Sequence, residues 1–155
     1  MFENAYDKMR AAIRDAATPS LGAGEVVQIG ALGTVGQVSA SKMMATAAVT
    51  AVLTLGTVSM WTRPRDLFMA LTSERLLFLE PSLMSGKPTT KVVFAIPRSA
   101  VVAVESRPQR VLGVRPTVVV DLLLAGQDKA VRLQFGPWRD AGAQIADALK
   151  SDLPG

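Results

Sequence analysis

The sequence predicts an α+β, mainly β domain: a partly open antiparallel barrel or sandwich, capped by a C-terminal amphipathic helix and preceded by an N-terminal one. Three observations carry this. In Asp66–Glu80, DLFMALTSERLLFLE, two apolar runs, Leu67–Leu71 and Leu76–Leu79, flank the single polar break Thr72-Ser73-Glu74-Arg75. Such a pair of runs reads as two adjacent strands of a covered hairpin. After Trp61 further apolar runs recur between proline- and glycine-bearing breaks, the spacing of a meander. The last stretch then changes to a helical period, which supplies the lid.

Taken in order, Phe2, Tyr6, Met9, Ile13 and Ala16 recur at intervals of four and three, with charged residues between them. This predicts an amphipathic helix ending near Thr18-Pro19, set apart as residues 1–20. Residues 21–152 then form one domain. Leu21–Gly24 reads as a turn and Glu25–Ile29 as a short strand. Gly30, Gly33 and Gly36 give G-x-x-G-x-x-G, which matches neither a dinucleotide fingerprint nor a phosphate loop, so it reads as a flexible loop.

Residues 37–62 form an apolar, Ala/Thr-rich insertion. Within it, 43–61 is long enough to span a bilayer, but only Val49, Val52, Leu53, Leu55 and Val58 are strong inserters. Lys42, Thr46, Thr50 and Thr54 fall on one helical face, which favours a helix packed through Ala48, Val52 and Leu55 at a core or an interface. Strand and transmembrane readings stay open.

Beyond the hairpin, Pro81–Pro88 reads as a loop, and Lys91–Ile96 as a strand stopped by Pro97-Arg98. Ala100–Val104 is a strand interrupted by Arg107-Pro108-Gln109-Arg110. Thr117–Leu124 is strongly β-forming and turns at Ala125–Asp128. Ala130–Phe135 alternates Val131, Leu133 and Phe135 with Arg132 and Gln134, as a half-exposed strand does. Gly136-Pro137 opens the last helix, with proline in its first turn and an apolar stripe of Trp138, Ala141, Ile145, Ala148 and Leu149.

Composition narrows the chemistry. The 155 residues contain no histidine and no cysteine, and hydrophobic residues make up 49% against 19% charged. Disulfides, thiolate nucleophiles and zinc–sulfur sites are excluded, and the commonest general base and metal ligand is missing. Acidic residues stand singly, with no carboxylate cluster for a metal. The chain therefore reads as non-enzymatic, with no cofactor and no metal. Net charge is +4, which permits an acidic partner surface. Aromatics are too few for a nucleic-acid stacking platform, and no nucleic acid is expected. The charged N-terminus lacks the apolar stretch of a secretory signal, so the expected location is cytoplasmic, with the inner membrane face as a place of peripheral contact.

Several residues carry a resemblance: Gly24-Glu25, then Leu71-Thr72-Ser73-Glu74-Arg75-Leu76-Leu77-Phe78-Leu79, then Val93 to Val101 with Ile96-Pro97-Arg98-Ser99, running on to Val104-Glu105. Together with the meander and terminal helix, these resemble the bacterial pleckstrin-homology-like and GRAM-like domains over roughly residues 24–150. The resemblance implies a binding or scaffold module working through protein–protein contact, and homo-oligomerisation, because such relatives can form rings.

Six basic residues are candidates for an anion or lipid site: Lys87, Lys91, Arg98, Arg107, Arg110 and Arg115, against Glu105 alone in the same stretch. A peripheral membrane adaptor using that rim is the second functional reading, and a solvated rim the plain one. Asp121 inside TVVVDLLL reads first as an exposed strand position and second as a buried ion pair with an arginine. Ser39 and Lys42 form an S-x-x-K without the elements a penicillin-recognising enzyme needs, a chance match.

Overall fold

The computed structural model describes residues 2–39, 64–111, 115–127 and 129–153. Helix α1 (Phe2–Ala17) leads through a short 3-10 turn, Thr18–Ser20, into β1 (Val27–Ser39). Six strands follow: β2 (Arg65–Thr72), β3 (Arg75–Pro81), β4 (Pro88–Pro97), β5 (Val101–Val111), β6 (Arg115–Leu124) and β7 (Lys129–Phe135). Helix α2 (Arg139–Ser151) ends the fold. Among the described residues every pairing is antiparallel and the order is β4-β3-β2-β1-β7-β6-β5, one meander of seven strands.

The hairpin β2–β3 is apolar without alternation because it is covered on both faces. Leu67, Met69, Leu71, Leu76 and Phe78 face the main core, which α2 closes with Trp138, Ala141, Ile145 and Leu149. Phe68, Ala70, Leu77 and Leu79 face the other way, against Ile13, Ala16 and Ala17 of α1. Full burial of each large side chain contributes about 1.5–3 kcal/mol, so helix α1 converts an otherwise wet sheet face into a second core. At the far end of α1, Tyr6 meets Trp138 edge-on with ring centroids 4.7 Å apart, and its hydroxyl donates to the Pro137 carbonyl.

Strand β1 corrects the flexible-loop reading of the three glycines. Gly30, Gly33 and Gly36 all lie inside it, and the strand serves both halves of the sheet: Val27–Val35 pairs with β2, Thr34–Ser39 with β7. Glycine is used for closeness rather than for mobility. A Cβ at Gly33 would stand 2.8 Å from the Gln134 carbonyl oxygen and 3.0 Å from both Met69 and Phe135. At Gly30 it would press on Ile13 at 3.3 Å, where α1 crosses. Since β1 reaches Ser39, the first residues of the expected 37–62 insertion are strand. Its remainder, with Lys42 and with Ala48, Val52 and Leu55, lies outside the described residues, as do the alternatives considered for 43–61.

Two other boundaries move. Arg107-Pro108-Gln109-Arg110 does not interrupt a strand but belongs to β5, where Pro108 sits opposite Val118. That is tolerated because β5 is an edge, and an edge proline removes no required ladder bond. Gly136-Pro137 precedes α2 instead of opening it, with Trp138 as the residue before the first turn. Among the described residues no helix is long and apolar enough to cross a membrane.

Candidate binding surface

Three polar constructions stand out against the greasy core. The first explains the GE and LTxxR wording. Glu25, 5% exposed, stands just before β1 and meets Arg75 at the start of β3. Arg75 donates through Nη2 to Oε1 at 2.8 Å and through Nε to Oε2 at 3.1 Å, and its Nη2 also reaches the Ser20 carbonyl. Thr72 donates its hydroxyl to Glu25 Oε2 and accepts the Arg75 and Glu74 amides, which shapes the β2–β3 turn. The Gly22 amide completes the set at 2.9 Å. The Arg75 guanidinium, outweighing burial and helped by the Gly22 and Thr72 donors, holds the Glu25 carboxyl down at about 2. Every acceptor position is filled from within the fold, so this is a clamp and not a binding site.

The second construction is Arg98, in the short 3-10 turn between β4 and β5. It donates to both Asp152 oxygens at 2.7 and 3.1 Å, to Gln28 Oε1 at 2.9 Å, and to the carbonyls of Thr72 and Ala148. A guanidinium at the C-terminal end of α2 also complements the helix dipole.

The third corrects the first reading of Asp121. It is 4% exposed, and Arg132 of β7 grips it at 2.8 and 2.9 Å while Arg107 of β5 approaches at 3.2 Å. Burial pushes its carboxyl up; hydrogen bonds and charge from Arg132 and Arg107 outweigh that and leave it below the usual carboxylate range. Glu105 stands directly opposite Asp121 across β5 and β6. Like charges facing one another are unfavourable, and the two arginines on either side neutralise the row.

The six basic candidates are not brought together. Lys87 and Arg98 stand at opposite ends of β4, a span of ~30 Å for a strand of that length. Arg98 and Arg107 are consumed by Asp152 and Asp121, and Lys91 shares Glu80 with Arg65 at 3.3 and 3.6 Å. Arg110 and Arg115 sit at the β5–β6 end, across the ladder from Pro116 and Val111 respectively. Lys87 remains exposed and forms no ion pair among the described residues.

What sequence reasoning missed is a groove of about 330 Å³ where β1 passes from β2 to β7. Apolar Leu32, Gly33, Gly136, Pro137 and Trp138 line it together with polar Thr34, Asp66, Thr117 and Gln134. Asp66 accepts the Thr34 hydroxyl at 2.7 Å. No spacing in the sequence announces it, because its walls come from four separated segments. Among the described residues no group of three acidic, histidine or cysteine side chains could hold a metal.

The described residues form a seven-stranded antiparallel meander with a helix closing one end, the α+β, mainly β architecture that the sequence predicts. Among solved structures the chain is similar to the crystal structure of a pleckstrin homology domain from Shewanella amazonensis, at 17% identity over 88% of this chain and 91% of that one, with a TM-score of 0.47. No family model matches the chain, and no curated protein does.

Proposed function

We propose that the chain is a non-catalytic binding module that works through protein–protein contact, including contact with a second copy of itself. The supporting observation is the open sheet: β4 and β5 are its edges, each paired on one side only among the described residues. An unpaired strand edge is a template for another strand unless something blunts it. Edge β5 is blunted by Pro108, by Arg107 and by the irregularity between Val101 and Ala103. Edge β4 carries no charge and no internal proline from Val92 to Ile96. Two copies laying these stretches side by side would continue one sheet across the pair.

Size-exclusion chromatography with light scattering tests this, followed by hydrogen exchange at rising protein concentration. The expected outcome is a dimer or larger ring, with amides of 92–96 becoming protected as it forms. A chain that stays monomeric throughout, or associates with no change at β4, overturns the reading.

A further inference from the structure

The groove at Leu32 and Trp138 has a counterpart elsewhere on the same chain. Its volume is about 330 Å³. A dry cavity of roughly 150 Å³ takes a benzene ring, so the groove has room for two large apolar side chains. Leu32, Pro137 and Trp138 offer apolar contact, and Asp66 is the one charged side chain among the lining residues. The Thr34 hydroxyl donates to Asp66 Oδ1 at 2.7 Å, which orients the carboxylate. Asp66 is exposed and forms no ion pair among the described residues.

The counterpart is the turn between β3 and β4. It presents Leu83 and Met84 at 102% and 96% of full exposure. The turn is closed by its own backbone: Ser82 N–H donates to the Lys87 carbonyl at 2.8 Å, and Gly86 N–H to the Ser82 carbonyl at 2.9 Å. Gly86 takes φ +70, a conformation that favours glycine. Two adjacent apolar side chains are thus held outward on a shaped tip. Lys87 beside them is exposed and likewise forms no ion pair among the described residues. Tip and groove complement each other in size, polarity and charge.

The strand register puts both at one end of the sheet. Phe68 pairs with Leu79, so Asp66, two residues before Phe68, stands level with Pro81, two residues after Leu79. The tip begins at the next residue. Its exposure means that it does not fill the groove of its own chain. Two copies meeting at this end about a two-fold axis can each seat a tip in the other's groove, and such an isologous contact closes on itself.

We propose that Leu83 and Met84 of one copy occupy the groove at Leu32 and Trp138 of a second, with Lys87 pairing to Asp66 across the interface. The contact rests on the reading of the module as self-associating, but not on pairing of the β4 edges. Each half is small, and the two-fold doubles it.

The test is sedimentation of the full chain over a range of concentrations, beside Leu83→Asp/Met84→Asp, Lys87→Glu and Asp66→Lys, with hydrogen exchange on the parent. The altered residues are all exposed, so melting temperatures should stay close to the parent's. The parent should dimerise, and each variant should weaken the dimer roughly tenfold or more. Lys87→Glu mixed with Asp66→Lys should recover it, because both contacts of the mixed pair again join opposite charges. A dimer that the variants leave intact, with amides of 92–96 protected, overturns this contact and leaves the β4 edge standing. A dimer that the variants weaken and mixing restores, without protection at 92–96, upholds this contact and removes the β4 edge. Weakening that mixing does not reverse overturns the Lys87–Asp66 pairing, and a parent that stays monomeric overturns both.

Discussion

Glu25 and Arg75 lie fifty positions apart and meet as a two-point ion pair inside the fold, Nη2 to Oε1 at 2.8 Å and Nε to Oε2 at 3.1 Å. The pair ties the chain just before β1 to the β2–β3 turn, and through Ser20 it fixes where α1 hands over to the sheet.

That pair gives the domain a defined acid sensitivity. The Glu25 carboxyl lies at about 2 in the folded state against an ordinary 4.5, so its contribution is complete above pH 4.5 and fades as the pH falls towards 2. A shift of that size corresponds to about 3 kcal/mol. Chemical denaturation across this range should show that loss, and Glu25→Gln should be less stable at neutral pH and lose less on acidification. A parent and a variant with parallel pH profiles would refute the assignment.

Arg98→Ala should destabilise by about 2–4 kcal/mol, because it strands the Asp152 carboxylate and leaves the Thr72 carbonyl and Gln28 without their donor. Thermal unfolding measures this. Arg98→Lys should recover only part of the loss, since an ammonium cannot reach both Asp152 oxygens and the carbonyls from one planar group.

Asp121→Asn should cost about 1–3 kcal/mol, the lower part of the range for breaking a buried pair, because Arg107 and Arg132 are both partly exposed and water relieves them. Urea denaturation is the measurement. A neutral effect would mean that the row Glu105–Asp121–Arg132 is already balanced by solvent.

Gly142→Ala is a sharper test of packing. Alanine favours helix by about 1 kcal/mol over glycine, yet the new Cβ would lie 2.3 Å from the Phe135 ring. Overpacking should win, for a net loss of about 1–3 kcal/mol in denaturant. Gly30→Ala, facing Ile13 at 3.3 Å, should be milder. A stabilised Gly142→Ala would show that α2 can lift from the core.

The meander, both helices and the covered hairpin were legible because hydrophobic runs and their breaks are local signals. Gly30, Gly33 and Gly36 misled because the reason for them is not local: Gly33 is required by Gln134 and Phe135, which no window around it contains. Pro108 looked like a break because strand proline is excluded only from central positions, and edge position is known only once the order is known. Asp121 was read as exposed because its partners, Arg107 and Arg132, come from two different neighbouring strands. The groove at Leu32 and Trp138 gave no signal, being made of segments that meet only in the finished fold.

Strand β1 carries one consequence for how the chain is made. Its first half finds β2 within a few dozen residues, while its second half must wait for β7, with Thr34 opposite Gln134. During synthesis the ribosome has to deliver the chain as far as β7, about a hundred residues beyond β1, before that ladder can zip up. Until then the nascent strand offers a bare flank to any other newborn copy nearby.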